Sequence, residues 1–274
     1  AKDLGKAEPL VSLLSNEDPE IIAQALKVLG DVKYSAAASK FIPLLQHEND
    51  RVKFFAAQSL GRTKHEAAIQ SLLDMLVANA DKDVYLRHAA VFALSRIGKV
   101  EPIAALENNP NRSLRIAAVL VLRRLESPEV AQFLKDSDEY IVTEAARGIN
   151  DDFSIEKALP ALADVLKETR FTSEALLRRA INANLRVGKN KNIDLLVEFA
   201  NRKSAPPEMR AEAIEALSTW AKPSVFDRVD GRYRGIIERD GSVAKSSFLK
   251  NVNTLLQEDN SAIQKATVNA IARM

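Results

Sequence analysis

Cysteine is absent from the 274-residue chain, and glycine (9 residues) and aromatic side chains (5%) are scarce. Without thiols there is no disulfide staple, thiolate zinc site, iron–sulfur cluster, C-x-x-C-H haem attachment or cysteine nucleophile. An excess of one charge is also missing: 39 Lys+Arg stand against 37 Asp+Glu, a formal net charge of +2. So small a net charge creates no large field for polyanions, and no nucleic-acid partner is expected. Long hydrophobic runs are lacking too. The longest, Ile116–Leu122, is too short to span a bilayer, and Ala1-Lys2-Asp3-Leu4-Gly5 carries no signal-peptide core. A soluble chain, or a piece of one, without membrane insertion is the expectation.

What is present favours helix. Glycine falls to about half its usual share while Ala, Leu, Glu, Lys and Arg dominate. Small-apolar stripes then recur: Ala25-Leu26-Lys27-Val28-Leu29-Gly30, Ala56-Ala57-Gln58-Ser59-Leu60-Gly61, Ala93-Leu94-Ser95-Arg96-Ile97-Gly98, Val121-Leu122-Arg123-Arg124-Leu125, Ala145-Ala146-Arg147-Gly148-Ile149, Ala183-Asn184-Leu185-Arg186-Val187-Gly188 and Ala216-Leu217-Ser218-Thr219-Trp220. From Leu29 to Trp220 they return about every 32 residues, the length of two short helices and two turns. The spacing predicts first helices over stretches such as Leu10–Leu14, Phe41–Leu45, Ile69–Val77, Ile103–Leu106 and Leu159–Leu166. Asp18, Asn49, Asp83, Asn111 and Asp138 are predicted to cap the second helices, and Gly30, Gly61, Gly98 and Gly188 to close them in a left-handed turn.

That pattern, with Asp83-Val84-Tyr85-Leu86-Arg87-His88-Ala89-Ala90 as its clearest local copy, resembles the HEAT-repeat family in its short bacterial, lyase-type form. The resemblance covers residues 6 to 221 and implies an all-α, right-handed α–α superhelix, a HEAT-type solenoid of about eight helix pairs. The period breaks after Trp220. Residues 222–241 are expected as an irregular connector, and 242–274 as a displaced helix pair packed on the solenoid of residues 1–221. Pro223, Ser224, Asp227, Arg228, Val229, Gly231, Tyr233 and Arg234 in the connector resemble a segment near the end of the HEAT region in large exported bacterial dehydrogenase-like proteins. In those proteins a sorbosone-dehydrogenase-like propeller precedes the array and a c-type haem module follows it. The resemblance implies a middle region of such a protein, exported or periplasmic and without its redox chemistry.

Candidate sites are few. His47-Glu48 and His65-Glu66 are His–Glu dipeptides of the sort that HEAT di-iron hydroxylases place inside second helices, but here both fall in predicted loops; His88 sits in a helix and is followed by Ala89. No catalytic residue, metal or cofactor is expected. Arginine recurs at two heights. Arg51, Arg87, Arg115, Arg178 and Arg210 are expected to form a structural ladder with turn carboxylates and carbonyls of neighbouring repeats. Arg96, Arg123, Arg147 and Arg186 lie near helix C-termini and complement the dipole there. The alternative is a basic concave groove for an acidic peptide or a nucleic-acid backbone, diluted by Glu139, Glu144, Glu174 and Glu212 and short of stacking aromatics apart from Phe92. Phe226, Arg228, Arg232, Tyr233 and Arg234 are the expected partner-binding residues, docking a flanking domain or, without one, the final helix pair. The reading is a monomeric, non-catalytic scaffold for a protein partner or flanking domains; an enzyme or chromophore- or metal-binding protein using the groove is the rival.

Overall fold

Five second helices start where a short polar side chain can accept a first-turn N–H. Asp18 takes the N–H of Glu20, Asn49 that of Arg51, Asp83 that of Tyr85, Asn111 that of Ser113 and Asp138 that of Tyr140, at 2.7–2.9 Å. All five caps fall where the sequence places them. In the computed structural model, which describes residues 6–274, the helices of the first compact unit form four pairs. A 3₁₀ segment Glu8–Ser15 precedes α1 (Pro19–Asp31), and α2 (Ala38–Phe41) runs on through 3₁₀ Pro43–Gln46 to α3 (Asp50–Arg62). Then come α4 (Ile69–Asn79) with α5 (Val84–Ile97), and α6 (Glu101–Ala104) with α7 (Arg112–Arg124).

The first helices of this unit other than α4 are short or 3₁₀, which their periodicity does not show. Pro9, Pro43 and Pro102 lie in or at the start of these segments, and a proline supplies no N–H and crowds the preceding turn. The second helices are regular and pack side by side, α1 on α3, α3 on α5 and α5 on α7. Their contact faces are small: Ala23, Ala56, Ala57, Ala89 and Ala93 are fully buried beside Leu26 and Leu60.

Two of the four expected glycine caps are something else. Gly98 and Gly188 adopt φ of 80° and 68° and close α5 and, in the second unit, α10 (Glu174–Val187). Gly30 and Gly61 instead lie inside α1 and α3, and the left-handed residues are Lys33 (φ 54°) and Lys64 (φ 52°), three positions on. The N–H of Tyr34 bonds Leu29 O at 2.9 Å and that of His65 bonds Leu60 O at 3.1 Å, each helix closing in a Schellman motif with lysine at its left-handed position. Gly30 and Gly61 are there because the next helix passes too close for a side chain. A Cβ on Gly61 would sit 2.6 Å from Ala93 Cα, and one on Gly30 would sit 2.9 Å from Ser59 Cα.

The second unit, residues 128–274, repeats the plan. It comprises 3₁₀ Pro128–Lys135 and α8 (Glu139–Asn150), α9 (Leu159–Asp164) with 3₁₀ Val165–Lys167 and α10, and α11 (Asn190–Asn201) with α12 (Pro207–Ser218). After the connector follow α13 (Ser242–Leu249), α14 (Val252–Leu256) and α15 (Ser261–Arg273). In the last pair, α15 packs against α12, which itself packs against α10. Phe133, Phe199 and Phe248 fill the core of this unit. Among the described residues the only strand-like feature is an isolated bridge between Phe226 and Tyr233, and no helix is long and apolar enough to cross a membrane.

Within each unit, neighbouring pairs are tied by polar contacts about one repeat apart. Arg51 reaches Glu20 at 2.7 Å, Arg62 reaches Asp31 at 2.9 Å, Ser113 reaches Asp81 at 2.7 Å and Ser59 reaches the Leu26 carbonyl at 2.7 Å. In the second unit the N–H groups of Thr172 and Ser173 donate to Glu139 at 2.8 and 2.7 Å, and Arg202 donates to Glu168 O at 3.2 Å.

Candidate functional site

The connector folds on itself before it meets anything else. Asp227 accepts the N–H groups of Val229 (2.8 Å) and Asp230 (3.3 Å), a local turn in which Gly231 takes a φ of 71°. The Asp227 N–H donates to Arg232 O and the Arg234 N–H to Val225 O, both at 2.8 Å, closing a small hairpin. The turn points the Asp227 carboxylate inward, where its side chain has no exposure.

There it meets two asparagines one repeat apart. Asn182 Nδ2 donates to Asp227 Oδ2 at 3.0 Å and to Asn150 Oδ1 at 2.9 Å, and Asn150 Nδ2 lies 3.5 Å from Asp227 Oδ1. Arg234 Nε adds a 3.2 Å bond and Arg186 Nη1 stands at 3.6 Å. Burial opposes the charge on Asp227, but the hydrogen bonds from Val229, Asn182, Asp230 and Arg234 outweigh it and hold the carboxyl below its ordinary value. With its acceptor positions filled and no open face, Asp227 is a fastening and has no room for a reacting group.

Two arginines, Arg234 and Arg239, fasten the connector to helix ends. Arg234 donates to the carbonyls of Asn150 and Asp152 at 2.8 Å each, satisfying the C-terminus of α8. Arg239 donates to Trp220 O at 2.8 Å and to Leu185 O, and its guanidinium lies 4.0 Å from the centroid of the Trp220 ring. Burial pulls Arg239 below the usual arginine value. A Cβ at residue 188 would run into the Arg239 guanidinium, so Gly188 serves this contact as well as the left-handed turn. Arg228 grips Glu212 at 2.9 and 3.0 Å and Glu215 at 3.0 Å.

The five residues expected to bind a partner therefore divide. Arg228 and Arg234 face inward onto α12 and α8, and Asp227 and Arg239 onto α10, which corrects the expectation that the final helix pair would receive the connector. Phe226 and Tyr233 face outward, 56% and 65% exposed, edge to face at 6.3 Å. Arg232 pairs with Asp152 at 3.2 Å, half exposed, and lies 5.7 Å from the ring of the exposed Phe153. The sequence marks Asp227 only as a position of the connector motif and gives Asn150, Asn182 and Arg239 no prominence; the signal for the asparagines is a polar residue 32 positions apart in stripes otherwise apolar.

The ladder arginines take three kinds of partner. Arg51 and Arg178 reach carboxylates of an adjacent repeat, Glu20 at 2.7 Å and Glu212 at 3.0 Å. Arg87 meets Asp81 at 3.2 Å and Arg115 the Asn109 carbonyl at 2.8 Å, both in the turn before their own helix. Arg210, buried, joins the Ala200 carbonyl (2.8 Å) to Glu258 (2.7 Å) before the last helix. His47 and His88 make local structural contacts. His47 Nδ1 accepts the N–H of Asn49 at 3.0 Å, the task Asn16, Asn109 and Asp136 perform in other turns, and His88 stacks on Phe92 at 5.7 Å. Among the described residues no group of three or more His, Asp or Glu could hold a metal ion.

A family profile for HEAT repeats matches residues 7–95. No curated protein matches the chain. Among solved structures, Kap121p shares 12% identity and a TM-score of 0.50 over 97% of this chain and 37% of its own. An engineered protein shares 19% identity at TM-score 0.46, over 97% of this chain and 78% of its own. The CpcE–CpcF complex of phycocyanin lyase from Nostoc sp. PCC7120 shares 19% at TM-score 0.40, over 77% and 86%. Likeness at this level speaks to fold and not to reaction. The chain has an all-α fold of HEAT-type helix pairs, with the match to the repeat family itself lying in residues 7–95.

Proposed function

We propose that the chain is a non-catalytic scaffold that holds a protein partner, and that the partner docks on the outer face of the connector. The observation that carries this is the division of the connector: its charged residues are spent inward on α8, α10 and α12, while Phe226 and Tyr233 are held outward beside Phe153 and Arg232. Ordered aromatics flanked by arginine are the residue types that anchor interfaces, and a pinned backbone loses little freedom on binding. In this reading the partner is a flanking domain of the same polypeptide, as the resemblance of this segment to exported dehydrogenase-like proteins implies, and the array takes part in no chemistry of its own.

A photo-crosslinking residue at Tyr233 tests the docking face, with one at the exposed Tyr85 of the first unit as control. A discrete protein adduct from position 233 that is absent from position 85 is expected, and equal yields from both would remove the connector from the interface. Metal analysis of protein purified without chelator tests the non-catalytic part. Less than about 0.1 equivalent of iron or zinc is expected, and a stoichiometric metal lost in His88→Ala would reverse that conclusion.

A further inference from the structure

The C-terminal ends of α1, α3 and α5 border an open cleft of about 260 Å³ in the first unit, lined by Lys33, Arg62, Lys64 and Arg96 with Asp31 as its one carboxylate. Asp31 serves Arg62, at 2.9 Å. Nothing serves Arg96 in the same way. Its guanidinium lies 4.2 Å from the centroid of the Phe92 ring, and its Nη1, sealed from solvent, meets no hydrogen-bond acceptor among the described residues. Arg124 reaches over the same ring at 4.8 Å. Burial and then the neighbouring charge of Arg62 lower the proton affinity of Arg96, the mark of cations gathered without enough counter-charge. A surplus of positive charge around a cleft is relieved by an anionic oxygen bound at its open side.

We propose that this cleft binds the side-chain carboxylates of an acidic, extended protein segment. The geometry favours such a ligand on two counts. Adjacent helix axes in such packing are roughly 8–10 Å apart, and an extended chain advances about 3.3 Å per residue, so a carboxylate at every third residue meets the cations of successive repeats. Base stacking is closed off, because Phe92, the aromatic ring beside the cleft, is already taken by Arg96, Arg124 and His88. The site lies entirely in the first unit and stands independently of the connector face.

Fluorescence anisotropy with a labelled octaglutamate peptide at about 50 mM salt tests it. Saturable binding is expected, weakening with added salt, and lost by about tenfold or more in Arg96→Gln and in the double variant Lys33→Gln with Lys64→Gln. The lysines are exposed, so the double variant keeps the test valid if Arg96→Gln disturbs the packing around Phe92. Inorganic phosphate and single-stranded oligothymidylate should displace the peptide about tenfold less well than unlabelled octaglutamate. Absence of saturable binding overturns the proposal, as does undiminished affinity in the double variant. Oligothymidylate displacing the peptide as well as octaglutamate does would overturn it in favour of a general polyanion site.

Discussion

Gly30 and Gly61 show how one residue type answers two physical demands that look alike in sequence. A glycine at the end of an apolar stripe reads as a left-handed cap, and at Gly98 and Gly188 it is one. At Gly61 the demand is proximity, set by Ala93 on the next helix, and no local pattern reports a neighbour 32 residues away. The left-handed position after that helix is filled by Lys64, at a cost glycine would avoid. Opposite outcomes follow for two substitutions three positions apart. Gly61→Ala should lower stability by about 1–3 kcal/mol, because the new methyl meets backbone that cannot step aside. Lys64→Gly should raise it by roughly 0.5–1 kcal/mol. Urea unfolding of the two variants checks both signs, and loss of stability in Lys64→Gly would refute the account of the Schellman closure. His47 teaches the same lesson more quietly: beside Glu48 it invites a metal reading, yet it occupies the turn position held elsewhere by Asn16, Asn109 and Asp136.

Second helices were legible because their caps and stripes are local signals, each contained within one turn of chain. First helices other than α4 were legible in position but not in kind, since periodicity does not distinguish a proline-tightened 3₁₀ segment from an α-helix. The connector was legible only as a break, with Phe226, Arg228, Arg232, Tyr233 and Arg234 as its notable residues. Its inner partners could not be read because Asp227 is joined to Asn182 and Asn150 across 45 and 77 residues. Replacing the fastening should therefore loosen an element far from it in sequence. Asp227→Asn leaves Arg234 and Arg186 beside a neutral group in a buried setting, and should cost about 3 kcal/mol. An unfolded aspartate titrates near about 3.9, and the folded carboxyl lies lower. The stabilisation by Asp227 is thus complete above about pH 5 and lost as pH falls below about 4. The stability gap between the protein and Asp227→Asn should be flat from about pH 5 to 8 and narrow in acid; a gap that narrows toward neutral pH would contradict the assignment.

At the scale of the molecule, repeats joined by nearest-neighbour packing and by polar contacts one repeat apart give stability that is nearly a sum over adjacent pairs. The second unit holds its own aromatic core and its own fastened connector, so residues 128–274 expressed alone should fold, with a helical circular dichroism spectrum and a cooperative melt. Residues 128–221 alone should melt earlier, since Asn150, Asn182 and the end of α8 then lack the groups that satisfy them. Equal melting of the two fragments would reduce the connector to a passenger.

The same fastening has a consequence in time. During synthesis Asn182 leaves the ribosome 45 residues ahead of Asp227, an interval of about 2–9 s at typical elongation rates. Once Val187 has followed, α8 and α10 are complete while Asn150 and Asn182 still face water. The nascent chain thus passes through a stage in which its helices are formed but their shared polar seam stands open, and a pause in translation within that window would prolong its exposure to chaperones and proteases.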